Sequence, residues 1–183
     1  MQLKRGPSQH PAPYYTLDLV TLRKLHVGEM NALTAMGKSV GSDSSPMEIG
    51  FQAGFKPDKD FFSIFLPQSF HFWTRGLPEI IPYGAGLTRQ LHGAGSVIFF
   101  YKEGFKSAWA RLEKGMHANK EPHLQVGSST TLVIVLKGIA EARIGGKRAA
   151  VSAGSAILVP AGVAHEFWNE RDEPAELVLI MTD

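Results

Sequence analysis

The chain has 183 residues, which at roughly 150 residues per domain is one domain plus an extension, and its 44% hydrophobic and 20% charged residues suit a globular protein rather than a disordered one. Nineteen Lys and Arg against seventeen Asp and Glu leave a net charge of +2, spread evenly about Pro82, so no basic face points to nucleic acid as a partner. Cysteine is absent, which excludes disulfides, thiolate-held zinc, iron–sulfur clusters and a thiol nucleophile, and leaves any metal to His, Asp or Glu.

Residues 1–13 are polar and proline-rich where a signal peptide needs an apolar core, and no apolar run approaches the ~20 residues of a membrane span. The expectation is a soluble, cytoplasmic protein with no membrane partner. The first fifteen residues read as a mobile arm opposed to regular structure by Pro7, Pro11 and Pro13. From Thr16 the apolar spacing turns helical through Leu19, Leu22, Leu25, Met30, Leu33 and Met36, with Thr16 as N-cap, Gly28 as a divide between two shorter helices and Gly37 as the stop. A Ser-rich loop at 41–46 follows. Residues 47–82 mix aromatics with four prolines, and only 61–66 and 70–74 read as short strands there.

After Tyr83 short β-rich runs follow one another between Gly, Pro and charged turns, at 87–92, 97–102, 107–112, 131–136, 139–144, 147–151, 156–159, 165–169 and 176–181. Gly145-Gly146 is a two-residue hairpin signal between two of them. The chain is therefore expected to be mainly β, with an N-terminal extension (1–82) of one or two helices and short strands ahead of an antiparallel β-barrel or jelly roll (83–183).

Two written motifs lack their mechanism. Gly37-Lys38-Ser39-Val40-Gly41 has the form of a nucleophile elbow, but a helical pattern precedes it and a Ser/Pro loop follows, the inverse of strand–turn–helix. A phosphate-binding loop would need Gly where Ala32 stands, and it too should follow a strand. Both read as a helix end and a solvated turn.

Residues 154–169 carry more. They read G-x5-P-x-G-x2-H-x3-N, with Gly154, Pro160, Gly162, His165 and Asn169 at the fixed places. A buried strand runs into a tight Pro160–Gly162 turn, and His165, Phe167 and Asn169 share strand parity beyond it. This resembles the second signature motif of the cupin superfamily, and the resemblance covers roughly residues 83–183. It implies an antiparallel cupin barrel. It also implies a first motif supplying two His and one Glu that join His165 around a divalent metal. Here that motif is altered: Glu121 stands where the first His belongs, His123 matches the second, and the Glu position falls on Gly127, Ser128 or Thr131.

The resemblance thus carries only His123 and His165 over as ligands; a carboxylate moved to the first-His position would make Glu121 the third, and Gln125 or His117 could complete the shell. Such a set suits Fe, Mn, Ni or Zn. Glu121, His123 and Gln125 share parity if the segment is a strand, with His117 on the same side. Two readings stay open. One is a metal-dependent enzyme of dioxygenase, isomerase or lyase type on a small organic substrate, in which an unligated Glu121 would serve as general base. The other is a metal-free cupin that binds a small ligand or dimerises as a regulatory module. By analogy with the family, a homodimer is expected.

The remaining residues of interest have plainer readings. His92 reads as rim or solvent, and His10, His26 and His71 as surface or packing. Trp109, Phe167 and Trp168 are core or pocket floor, Arg111 and Arg143 are solvent-facing unless turned inward, and Asn169 is a backbone-bonding residue at a strand end.

Overall fold

Local capping chemistry sets the first boundaries. The computed structural model describes residues 13–38, 43–58, 60–74 and 79–183. The expected arm is described only from Pro13, and His10 and the Ser39–Gly41 part of the elbow-like motif lie outside the described residues. β1 (Pro13–Leu17) is a strand, paired antiparallel with β2 (Met47–Phe51) from Pro13 opposite Phe51 to Leu17 opposite Met47. Thr16 therefore sits in a strand, and the expected cap moves to Asp18, whose carboxylate accepts from the Thr21 amide at 2.6 Å to start α1 (Leu19–Val27). Gly28 ends α1, and Asn31 caps α2 (Ala32–Met36) through the Thr34 amide at 2.7 Å. The divide at Gly28 and the stop at Gly37 are as the sequence implies.

The two short strands expected around Pro67 are instead one helix, α3 (Phe61–Phe72), with Pro67 inside it. Phe61 stacks on Phe65 at 5.0 Å, an i,i+4 pair, and Phe65 stacks on Tyr15. The helical period is hard to see because Phe62, Ile64 and Phe72 are apolar yet exposed, so both faces look hydrophobic. α3 and the β1/β2 ribbon enclose a small core of Leu25, Ala32, Ala35, Met36 and Met47, flanked by Tyr15, Phe70 and Trp73.

The second half is two facing antiparallel sheets. One holds β3 (Arg89–Leu91), β4 (Ala94–Lys102), β5 (Phe105–Leu112), β7 (Thr130–Lys137), β10 (Ala156–Val159) and β12 (Ala175–Thr182), in the order β10-β7-β12-β5-β4-β3. The other holds β6 (His117–Ala118), β8 (Ile139–Ile144), β9 (Lys147–Ser152) and β11 (His165–Trp168), in the order β6-β11-β8-β9. Every β-run expected after Tyr83 is a strand, with ends shifted by a few residues and the first shortened to β3 behind a 3-10 turn at Ala85–Leu87. The Gly145-Gly146 hairpin is present, with Ile144 opposite Lys147. Period-2 alternation points Thr131, Val133 and Val135 of β7 inward, and Val133, Val135, Ala140, Ala142, Val151, Val159 and Phe167 form the core between the sheets.

The N-terminal half meets the barrel at an open strand edge. β3 is only three residues long, so β4 beyond Ser96 would present an unpaired edge, a liability sheets cover. α2 covers it: the Ile98 amide donates to Thr34 Oγ1 at 2.9 Å, and Asn31 Nδ2 donates to the Ile98 carbonyl at 3.0 Å. Arg89 fastens the junction, donating to the carbonyls of Thr34 (2.8 Å), Ser44 (3.0 Å) and Gly37, where α2 leaves its last acceptors free. Burial pulls the Arg89 guanidinium below its usual pKa, and Asp43 and Glu48 oppose the shift.

Candidate functional site

The inner face of β5 reads Lys106, Ala108, Ala110, Leu112, and its alanines leave room where larger side chains would meet the opposite sheet. The space is a cavity of about 440 Å³. Its apolar wall comes from Ala94, Ala108, Ala110, Leu112, Leu177, Leu179, Met181 and Phe167, and its polar wall from Ser96, Thr131, Asn119, Lys106 and three histidines, His92, His123 and His165. That mixture, mostly apolar with a few convergent polar groups, is usual for small-molecule sites.

The signature turn positions His165. Gly162 has φ 77°, and its amide donates to the Gly127 carbonyl at 2.9 Å, while the His165 amide donates to Gln125 at 2.9 Å. These bonds pin the 125–127 loop against the start of β11. His165 Nδ1 lies 3.0 Å from the Val163 carbonyl, which can only accept, so Nδ1 carries a proton and, in the neutral ring, Nε2 is the acceptor. His123 also lines the cavity, from an exposed 3-10 turn (Pro122–Leu124), and its ring makes no hydrogen bond among the described residues.

The other expected site residues lie elsewhere. The expected strand parity of Glu121, His123 and Gln125 does not occur, because Pro122 opens a 3-10 turn instead. Glu121 flanks that turn, exposed and off the cavity wall, so neither its ligand role nor its general-base role has a placement to support it. Gln125 donates its side chain to the Lys120 carbonyl at 3.3 Å and does not line the cavity either. His117 faces away: in β6 it is Ala118 that points inward, and His117 Nε2 donates to the Glu166 carboxylate at 2.8 Å. Glu166 is buried, and its second oxygen accepts from Arg143 at 2.7 Å.

A divalent ion on the three-donor pattern does not fit these residues. His123 and His165 share the cavity, but among the described residues no Asp or Glu lines it and no group of three His, Cys, Asp or Glu could hold an ion.

Sequence reasoning missed three wall residues. His92 is not at a solvent rim. Its side chain is 15% exposed, with Nε2 3.2 Å from the Asp43 carboxylate and Nδ1 3.2 Å from Asn119 Oδ1. Leu91 pairs with Ala94, so His92-Gly93 is a two-residue hairpin with φ 51° and 89°, a geometry that His-Gly between two β-runs could have signalled. A side chain at Gly93 would put its Cβ 2.2 Å from the His117 carbonyl oxygen. Asn119, also at positive φ, completes this contact by donating its amide to the His92 carbonyl at 2.9 Å. Lys106 was missed because its strand begins two residues earlier than the alternation suggests. Of the three candidate floor aromatics only Phe167 lines the cavity. Trp109 is buried against Tyr83, and Trp168 lies under Arg143 and Arg148. Arg111 is held by Glu113 (2.6 Å) and Glu176 (2.8 Å).

Residues 109–181 match the family model described as a cupin domain. No curated protein matches the chain. Among solved structures, a cupin 2 conserved barrel domain protein from Salinispora arenicola CNS-205 is similar at 20% identity over 59% of this chain and 91% of its own, with a TM-score of 0.51. The plu4264 protein of Photorhabdus luminescens is similar at 19% identity over 59% and 88%, with a TM-score of 0.49. At 20% identity and a TM-score of 0.51, the likeness to the Salinispora arenicola protein shows the fold.

Proposed function

We propose that the β-barrel, whose residues 109–181 match the cupin domain model, belongs to the cupin superfamily and binds a small, largely apolar organic molecule in the cavity between its sheets. The observation that carries this reading is the cavity itself: about 440 Å³, walled by alanine, leucine and Phe167, with imidazoles and hydroxyls at a few points. The metal-dependent reading lacks a carboxylate on that wall among the described residues.

Titration calorimetry with a neutral amphipath, octanamide, is expected to show one-site binding that Ala110→Trp removes by filling the cavity. Ala108→Phe serves as a second filling variant, and circular dichroism confirms that both fold. Binding that survives both variants contradicts the proposal. Elemental analysis after metal supplementation is expected to find no stoichiometric ion; an ion retained at one per chain and lost in His123→Ala would favour the metal-dependent enzyme instead.

A catalytic reading is favoured by one further observation, the Nε2 acceptor of the neutral His165 ring, since an imidazole held by Val163 and facing an apolar cavity is placed to take a proton from a bound molecule.

A further inference from the structure

Resting on the cavity reading above, we propose that the molecule held in the barrel is an amphipathic monoanion, an apolar body with one carboxylate or comparable anionic head, and that Lys106 receives the head. Among the described residues the cavity wall contains no Asp and no Glu, while its ionisable side chains are Lys106, His92, His123 and His165. Two carboxylates off the wall are bonded to wall residues: Asp43 faces His92 Nε2 at 3.2 Å, and Asp183 accepts from Ser129 Oγ at 2.5 Å.

Lys106 stands on the same inner face as Ala108 and Ala110, in register with Met181, which in turn pairs with Thr131. Its ammonium approaches the Tyr101 ring at 5.3 Å and makes no ion pair among the described residues. Thr131 is buried, and its hydroxyl makes no hydrogen bond among the described residues. One end of the apolar cavity thus offers a cation that touches the Tyr101 ring but has no counter-ion among the described residues, beside a hydroxyl with no hydrogen bond among them. A neutral guest would leave the ammonium without a counter-charge, a cationic guest would be repelled, and a single fixed cation matches a single negative charge.

The test is titration calorimetry on the full chain at pH 7.5 with three probes of one chain length: octanoate, octanamide and octylammonium. Octanoate is expected to bind about tenfold or more tighter than octanamide, the scale of one charge-assisted hydrogen bond, with octylammonium weakest. Lys106→Met, with Lys106→Gln as the alternative should the first misfold, is expected to bring octanoate to within about threefold of octanamide, both measured on the same variant.

Octanamide binding as tightly as octanoate, octylammonium binding tightest, or an octanoate preference untouched by both Lys106 variants overturns the charge assignment. The cavity reading then stands, provided Ala110→Trp still removes binding. Absence of binding by all three probes, or binding that survives both Ala110→Trp and Ala108→Phe, overturns the two together.

Discussion

Asn169 closes the end of β11 by giving its side-chain amide to the carbonyls of Leu112 (3.0 Å) and Glu173 (2.9 Å), while its oxygen accepts from the Arg171 amide at 2.9 Å. It is 1% exposed, so water cannot replace these bonds. Asn169→Ala is therefore expected to lose about 2–4 kcal/mol of stability, read from denaturant unfolding, and a loss below about 1 kcal/mol would contradict the role. At this scale the signature motif told most of what it could. His165 and Asn169 stand where their spacing implies, one facing the cavity and one bonding backbone. His92, Asn119 and Lys106 were not legible, because their places depend on which residues cross-strand register and a positive-φ turn bring together. The extended segment expected for Glu121 to Gln125 failed for a local reason, the proline after Glu121.

Between elements, the contact of α2 with β4 matters most. A three-residue β3 leaves backbone groups of β4 to be satisfied by Thr34 and Asn31, and Arg89 ties the end of α2 to the barrel through three carbonyls. Arg89→Met removes all three bonds at once. The expected outcome is a stability loss of roughly 2–4 kcal/mol together with proteolytic cutting within residues 13–51 before any cut in the barrel. Cleavage that stays unchanged, or that begins in the barrel, would contradict this. The strands of the second half were legible because Gly and charged turns punctuate period-2 runs, as at Gly145-Gly146. α3 was not, because Pro67 splits its sequence into two apolar runs short enough for strands, and only packing against Tyr15 and Phe51 shows the helix.

Across the whole molecule, the net charge of +2 says little, while the distribution of charge says more. Carboxylates such as Glu166 and Glu176 are engaged by Arg143, His117 and Arg111, and none among the described residues lies on the cavity wall. The first-motif carboxylate absent from the sequence is thus not supplied by any other described wall residue, and apolar surface with imidazoles takes its place. A crystal structure of the chain grown with octanoate tests most directly whether this cavity is a small-molecule site. The predicted result is density for the ligand inside the barrel, its chain against Ala108, Ala110 and Phe167. Octanoate found only on the outer surface, or a single ion bridging His123 and His165 at roughly 2.0–2.1 Å from each nitrogen, would contradict it.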